Sequence, residues 1–228
     1  LGQIGPRRIV QSPYSIMKLR TTLSILLITS IVFIDQLIKY SVKTGMCLYD
    51  KIRVTDWFYI FFTENKGMAF GWSFVATDIL TVFRMVAIAA FVYILVREIR
   101  KQAPVGFIIC LSLVIAGALG NIIDNCLYGL IFTESFPAAS PLQSPATLVE
   151  MGKGYSEFLH GRVVDMFYFP LFTWPDSMPL VGGSTFFGAV FNFADAAISC
   201  GGVAILLFYY RYISKLMGST SKSTMPNE

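Results

Sequence analysis

The sequence predicts an all-α membrane protein with four transmembrane helices, together with a small β element and an amphipathic segment on the outer membrane surface. Of its 228 residues, 55% are hydrophobic and only 14% are charged, and the mean hydropathy is +0.63. This composition is typical of polytopic membrane proteins rather than soluble domains. Four apolar stretches are long enough to cross a bilayer as helices. We expect these helices at about residues 22–40, 77–97, 104–124 and 186–212.

We expect the four helices to form a single membrane domain over residues 17–215. Residues 1–16 fit no element and precede Met17, which looks like a natural start, so they are interpreted as an expression leader. Residues 216–228 are expected to form a polar tail.

Residue types that bind metals are few and scattered. The chain has one His and four Cys, without CxxC or HExxH spacing, so we expect neither a metal nor another cofactor. The net charge of +4 is small. Membrane lipid is expected as a partner of a chain with four membrane helices, and nucleic acid is not.

Two charged residues lie near the end of the first helix. Asp35 and Lys39 share a helix face because they are four residues apart. They are either a helix-end pair, with the lysine reaching to the membrane surface, or a sign that Asp35 faces a polar site. Arg84, near the start of the second helix, is interpreted by default as a side chain that reaches the interface.

The predicted β element lies between the first and second helices. Residues 52–62 are rich in aromatic and β-branched side chains, as strands are. Trp57 and Trp72 are typical of the membrane–water boundary. Asn65 and Gly67 follow the strand-like residues in a segment with a turn signal. We therefore expect a small sheet on the bilayer surface.

The end of the third helix carries small and polar residues on one face. Gly117, Gly120, Asn121 and Asp124 fall at helical spacings. Close helix packing explains the glycines, because small residues let helices approach each other. Packing alone does not explain Asp124.

Two further aspartates lie in or just before the fourth helix. Asp195 shares a helix face with Asn192 and Ser199, and Asp165 precedes the helix in a segment that we expect to be ordered. An ionisable residue inside a membrane helix is costly and indicates a functional site. Two carboxylates held together are the minimum equipment for acid–base activation of water.

The Pro- and Ser-rich residues 134–157 are expected to be flexible and to bury little surface.

The distribution of Lys and Arg predicts the orientation in the membrane. These residues are concentrated in the N-terminal segment, in the loop between the second and third helices, and in the tail. Both termini are therefore expected in the cytoplasm. In this topology the unexplained polar residues all lie near the outer leaflet boundary, which predicts one site at the outer face of the bilayer.

These motifs resemble those of the bacterial lipoprotein signal peptidase (signal peptidase II) family over residues 17–215. Five segments carry the resemblance in the family's order: DQLIK at 35–39, NKGMAF at 65–70, GNIID at 120–124, GRVVDMF at 161–167 and FNFAD at 191–195. The resemblance implies an aspartic endopeptidase that removes the signal peptide from diacylglyceryl-modified prolipoproteins. It implies cleavage before the lipidated Cys at the outer face of the inner membrane, and inhibition by the cyclic peptide globomycin. We expect the enzyme to be a monomer.

The resemblance places Asp165 and Asp195 at the positions of the catalytic pair. The positions of supporting or substrate-contacting residues are taken by Asp35, Lys39, Asn65, Gly67, Gly120, Asn121, Asp124, Arg162, Val164, Asn192 and Ala194. In a poorly hydrated site, two neighbouring carboxyl groups share one proton. The ionised member would take a proton from the attacking water, and the protonated member would polarise the scissile carbonyl.

Two features depart from the family's pattern. Asn125 stands where the family usually has Arg, so a basic group is either missing from the site or supplied by Arg162. The motifs GNIID and GRVVDMF are also further apart than in the family, whose spacing would put Thr133 at the catalytic position. Because Thr cannot act as the acid or base, we interpret residues 130–160 as an insertion and assign Asp165.

Two other classes of protein fit parts of this pattern. A small ion-coupled transporter also carries carboxylates in the membrane, but its polar residues would line a path across, with an inverted repeat. A scaffold that binds lipidated peptides without cutting them would not need both aspartates. Cleavage of a diacylglyceryl prolipoprotein, with and without globomycin, separates these hypotheses.

Overall fold

Helices make up most of the computed structural model, which describes residues 12–65 and 77–215. The main helices are α1 (Pro13–Gly45), α2 (Thr77–Arg100), α3 (Val105–Ile123) and α5 (Phe193–Phe208). Helix α3 continues through a π-helical turn, Asp124–Tyr128, into the short helix α4, Gly129–Ile131. Within the described ranges, Pro13–Gly45 and Val105–Ile131 are long and apolar enough to cross a membrane, and Phe193–Phe208 is apolar but shorter.

The strands form two small antiparallel sheets. The first contains β1 (Lys51–Arg53), β2 (Tyr59–Asn65), β3 (Val163–Tyr168) and β6 (Val190–Phe191), in the order β1-β2-β3-β6. The second is a hairpin of β4 (Phe172–Thr173) and β5 (Thr185–Phe186). The predicted β element is present in β1 and β2, and β3 enlarges it with a strand from a distant part of the chain.

Helix α1 begins before the residue at which the apolar stretch predicts it. The Ser12 side chain caps the helix by accepting the backbone N–H of Ser15 (3.2 Å), and Pro13 follows in the first turn. Residues 13–16, which the sequence assigned to a leader, therefore form the first turn of this helix.

The prediction that the fourth helix starts at about residue 186 is wrong. Helix α5 begins at Phe193, because Asn192 caps it. The side chain of Asn192 accepts the backbone N–H of Asp195 (2.8 Å), and the side chain of Asp195 accepts the backbone N–H of Asn192 (3.3 Å). Such a capping box defines a helix start even inside an apolar run. Asp195 therefore lies in the first turn of α5.

Helices α3 and α5 approach each other closely where both have small residues. A methyl group added at Gly117 would lie 2.2 Å from the carbonyl oxygen of Ala194, and one added at Gly120 would lie 3.1 Å from Ala194 Cβ. A hydrophobic core joins the sheet to the ends of the helices. It consists of Val42, Met46, Phe62, Tyr128, Phe132, Val164 and Met166. It packs β3 against the ends of α1 and α3.

The segment between α4 and β3 is attached to the end of α1. Ser135 and Ala146 are buried, and Ala146 donates its backbone N–H to the carbonyl of Lys43 (3.2 Å). The prediction that residues 134–157 bury little is wrong at these anchored positions. Residues 138–144 between them are largely exposed.

Candidate active site

Asp165 and Asp195 are joined at the start of helix α5 by two asparagines. Asp165 lies on β3 and is 4% exposed. Asn192 Nδ2 donates to Asp165 Oδ1 (2.7 Å) and also to Asn121 Oδ1 (3.0 Å). Asn121 Nδ2 in turn donates to Asp195 Oδ1 (2.7 Å). The two aspartates therefore belong to one hydrogen-bonded unit, although they come from a strand and a helix.

The protonation of Asp165 differs from that of an ordinary aspartate. Burial raises the pKa of Asp165 to about 7, and the negative charge of Asp195 acts in the same direction. The hydrogen bond from Asn192 and the positive charge of Lys39 oppose this rise in the pKa. Asp165 therefore keeps its proton over a pH range in which an exposed aspartate is ionised.

A buried lysine organises the polar residues next to this pair. Lys39 is 0% exposed, and its Nζ lies 2.9 Å from Asp35 Oδ2, 2.8 Å from Asp124 Oδ2 and 2.9 Å from Asn121 Oδ1. The hypothesis that Lys39 reaches the membrane surface is wrong, because its ammonium group is enclosed by these partners. Asp35 faces a polar site, as the alternative hypothesis stated.

The carboxylates around Lys39 also hold the backbone of the segments that carry the two aspartates. Asp35 Oδ1 accepts the N–H of Ala194 (2.9 Å), and Asp124 Oδ2 accepts the N–H of Val164 (3.2 Å). Gly120 leaves the space for Asp35, because a Cβ atom there would lie 2.6 Å from Asp35 Oδ2. These contacts fix the start of α5 and the strand β3 relative to α1 and α3.

Gln36 belongs to the same cluster, although the sequence did not predict it. Its Nε2 donates to Asp124 Oδ1 (2.9 Å), to the Gly120 carbonyl (3.1 Å) and to Asp35 Oδ2 (3.2 Å). An amide in an apolar helix needs partners on neighbouring helices. Its position inside the DQLIK motif was therefore the signal that could have identified it.

Arg162 does not join the aspartate pair. Its guanidinium pairs with Glu64 (3.2 Å) and with Glu134, and none of its contacts among the described residues reaches either aspartate. Asn65, at the end of β2, lies opposite Val163 in the sheet. Gly67 lies outside the described residues. The hypothesis that Arg162 replaces the arginine expected at Asn125 is not supported by these contacts.

Glu64 is also the centre of a second buried ion network that the sequence did not predict. The ammonium of Lys43 pairs with Glu64 and donates to Ser135 Oγ (2.9 Å), and Ser135 Oγ donates to Glu64 Oε1 (2.7 Å). The side chain of Lys43 is 0% exposed. This network joins the end of α1, the strand β2 and the insertion.

Thr133 lies within the insertion and away from the polar cluster. Its Oγ1 accepts the backbone N–H of Thr147 (2.9 Å). Asp165, in contrast, bonds directly to Asn192. The geometry therefore favours the alignment that assigns Asp165 and treats residues 130–160 as an insertion.

An apolar cavity of about 360 Å³ adjoins Asp195. Its walls are formed by Phe187, Phe191, Ala196, Ser199 and Cys200. Such a cavity suits an apolar group of a ligand, with the carboxylate at its edge as the polar element. In the described parts of the chain, no three His, Cys, Asp or Glu side chains are grouped as metal ligands.

A pair of aspartates in one hydrogen-bonded unit, next to an apolar cavity in a bundle of apolar helices, is the arrangement expected of an aspartic hydrolase in a membrane. The chain belongs to the signal peptidase II family, because the sequence model of that family, described as "Signal peptidase (SPase) II", matches residues 27–211. It is therefore a bacterial membrane protease. This membership decides against both the transporter and the non-catalytic scaffold.

Similar proteins agree with this membership. The chain is 44% identical over 205 residues to a lipoprotein signal peptidase of Porphyromonas gingivalis, a match that covers 88% of this chain and 87% of the relative. It is 32% identical over 190 residues to a lipoprotein signal peptidase of Amoebophilus asiaticus, with 77% of this chain and 72% of the relative covered.

The fold is similar to that of a solved bacterial membrane enzyme, determined by the in meso method at 2.3 Å resolution. The TM-score is 0.55 at 22% sequence identity, and the match covers 91% of this chain and 95% of the other. At this identity the similarity concerns the fold alone.

Proposed function

We propose that Asp165 and Asp195 are the catalytic pair with which this signal peptidase cleaves the signal peptide from prolipoproteins. The observation that carries the assignment is the side chain of Asn192, which donates to Asp165 Oδ1 (2.7 Å) and accepts from the backbone of Asp195 (2.8 Å). The amide of Gln36 joins Asp35 and Asp124 in a similar way (3.2 and 2.9 Å), but these two carboxylates do not face each other without a cation between them. Asp35 and Asp124 are instead occupied by Lys39.

The two carboxyl groups have different roles in the proposed reaction. Asp195 takes a proton from water as the water oxygen bonds to the scissile carbonyl carbon. Asp165, whose pKa is raised to about 7, donates its proton to the carbonyl oxygen and stabilises the tetrahedral intermediate. When the C–N bond breaks, the proton on Asp195 passes to the leaving amine and the intermediate hydroxyl returns its proton to Asp165. No covalent enzyme intermediate is formed.

The remaining polar residues are proposed to hold this pair or to contact the substrate. The pair would be held in place by Asp35, Lys39, Asn121, Asp124 and Asn192. The carboxylates among them accept the backbone N–H groups of Val164 and Ala194 and pack against Gly120. Asn65 would contact the substrate from the end of β2, and Arg162 would support that strand through Glu64. Gly67 is proposed as a substrate contact from the family resemblance alone.

The proposed substrate is a prolipoprotein whose lipobox Cys carries diacylglycerol, cut before that Cys. The apolar cavity beside Asp195 suits an apolar group of such a substrate. Exposed apolar side chains near it, such as Phe186 and Phe187, would contact membrane lipid. By family resemblance, globomycin is expected to inhibit the reaction, and the enzyme is expected to act as a monomer.

We infer that α1, α2, α3 and α5 all cross the inner membrane, with both termini in the cytoplasm and the aspartates facing outward. The charges support this orientation. At the end of the bundle away from the aspartates, Arg20 donates to the Ala103 carbonyl (2.7 Å), and Arg97 pairs with the buried Glu98 (2.8 Å). Basic residues at helix ends favour the cytoplasmic side.

The test is cleavage of a diacylglyceryl prolipoprotein by purified Asp165→Asn and Asp195→Asn enzymes. Each change removes an ionisable partner at nearly constant volume, so we expect cleavage to fall by about 10²–10⁴-fold while the protein stays folded. Asp176→Asn is the matched control, since Asp176 is exposed in the turn of the hairpin and should retain activity. Substantial turnover by either folded active-site variant would refute the assignment.

A further inference from the structure

Arg84, on helix α2, contacts the end of the third helix and does not extend to the membrane surface. Its Nη1 donates to Asn125 Oδ1 (2.9 Å). Asn125 is 0% exposed and is itself fixed, because its Nδ2 donates to the Gly161 carbonyl (2.8 Å) at the entry to β3. The default interpretation of Arg84 as an interfacial side chain is therefore wrong. The guanidinium is held by a buried acceptor, on the side of α2 that faces the rest of the protein.

The electrostatic environment of Arg84 is dominated by the two aspartates. Its charge interacts with Asp195 and, more weakly, with Asp165. Among the described residues, no carboxylate oxygen lies within 4.0 Å of its guanidinium, the limit for an ion pair. Its charge therefore acts on the pair through space, while its hydrogen bond is made to Asn125.

The other cations near the site are paired directly with carboxylates. Lys39 pairs with Asp35 and Asp124, and two carboxylates therefore surround one ammonium group. Arg162 pairs with Glu64 and Glu134. The cluster around Lys39 thus has two carboxylates for one ammonium group, and a further positive charge near the aspartates favours the ionised form of one member of the pair. Arginine supplies such a charge at every pH of interest, because it is not deprotonated in proteins.

We propose that Arg84 is the positioning residue whose positive charge favours the ionised form of one member of the aspartate pair, and that Asn125 orients its guanidinium. This inference rests on the proposed catalytic role of Asp165 and Asp195. Asn125 stands where the family resemblance leads one to expect arginine. In this chain the positive charge comes from a different helix, and the residue at 125 has become its acceptor.

Among the side chains that the structure describes, the charged groups around the aspartates come from several packed elements. They are Asp35 and Lys39 on α1, Arg84 on α2, Asp124 in the π-helical turn, and the two aspartates themselves on β3 and α5. In the pH profile of cleavage, the acid limb reports the carboxyl group that must be ionised, and the basic limb reports the one that must be protonated. A change in the charge of Arg84 must therefore move both limbs.

The test is the pH profile of kcat/KM for purified wild-type, Arg84→Gln and Arg84→Lys enzymes with a diacylglyceryl prolipoprotein. We expect both limbs of Arg84→Gln to move to higher pH by roughly half to one unit, because loss of a nearby positive charge raises carboxyl pKa values. The Arg84→Lys enzyme should keep both limbs close to their wild-type positions. Arg97→Gln is the matched control on the same helix, and its profile should not move.

A purely structural role for Arg84 would lower the rate or the Tm and leave both limbs in place, which would overturn the inference. If Arg84→Gln does not fold, Asn125→Ala provides the second variant. It keeps the charge but removes its acceptor, so both limbs should move in the same direction by a smaller amount; unmoved limbs would again overturn the inference. If Asp165→Asn and Asp195→Asn are inactive but the pH profile of Arg84→Gln does not move, this inference is refuted and the proposed function stands. Active aspartate variants would refute the proposed function and this inference together.

Discussion

Three effects act on the pKa of Asp165: burial and a like charge nearby raise it, and a hydrogen bond from an amide lowers it. The two that raise the pKa are the stronger. Its pKa is raised from 3.8 to about 7, chiefly by burial and then by Asp195. A carboxyl group whose pKa is higher in the folded state binds its proton more tightly in that state. Its contribution to stability is therefore present at low pH and is lost as the pH rises toward 7 and beyond.

This linkage predicts how Asp165→Asn changes thermal stability. Because Asn does not titrate, the Tm of the variant minus that of the wild type should become more positive between about pH 4 and about pH 8. Thermal unfolding of the purified protein in detergent measures this difference. Asp176→Asn, at an exposed site, should show no such trend. A difference that is independent of pH would contradict the raised pKa of Asp165.

Close contact between α3 and α5 depends on Gly117. A methyl group there would lie 2.2 Å from the Ala194 carbonyl, and backbone cannot move aside as a flexible side chain can. We expect Gly117→Ala to lower the free energy of unfolding by about 1–3 kcal/mol. It should also lower cleavage, because Ala194 lies one residue before Asp195.

Gly202→Ala is the matched control for this packing prediction. A Cβ atom at Gly202, on α5, meets nothing within 4 Å. Alanine in a helix is favoured over glycine by about 1 kcal/mol, so this variant should be neutral or slightly more stable. Equal stability losses for the two variants, measured by thermal unfolding, would contradict the close helix contact.

The insertion has an anchored part and a free part, and the two should respond differently to shortening. Replacing Ser135–Gly154 by a short Gly/Ser linker removes the Ser135 contacts with Lys43 and Glu64. Because this leaves a buried ion pair with fewer partners, we expect a lower Tm.

Shortening only residues 138–144 is the corresponding control, because these are largely exposed. That variant should keep its Tm and still cleave prolipoprotein. If the longer replacement had no effect on the Tm, the network around Glu64 would not contribute to stability.

The sequence predicted the site best where a polar residue in an apolar helix could be explained only by a functional role. Asp124 and Asp195 are costly in apolar helices, so their convergence on one site could be expected from the sequence. The start of α5 could not be read from hydrophobicity, because the apolar run continues from Phe186 through the strand residues. Only the Asn192–Asp195 spacing of a capping box carried that information.

Contacts that depend on tertiary structure were beyond the sequence. Arg84 and Asn125 are 41 positions apart, and neither residue type reveals its partner. The Pro and Ser residues of the insertion predicted flexibility, whereas its attachment depends on backbone bonds and on one buried serine. Sequence composition cannot report such bonds, since every residue type except proline has the same backbone donor.

At the scale of the whole molecule, the orientation in the membrane can be tested with single cysteines in a cysteine-free background. Lys153 lies in the insertion, near the proposed outer face, and Lys101 follows α2 at the opposite end; both are exposed. We expect an impermeant maleimide to label Lys153→Cys in intact spheroplasts. Labelling of Lys101→Cys should require permeabilised membranes. The reverse pattern would contradict the proposed orientation.

The buried cluster around Lys39 also has a consequence for the biosynthesis of the protein. When only α1 has left the ribosome, Lys39 and Asp35 have each other, but Asp124 and Asn121 have not yet been synthesised. A charged side chain in the bilayer costs several kcal/mol without its partners. The nascent first helix is therefore poorly accommodated by lipid until the third helix arrives. It is expected to stay beside the insertion machinery until then, so the residues that hold the active site together also affect when the first helix is released into lipid.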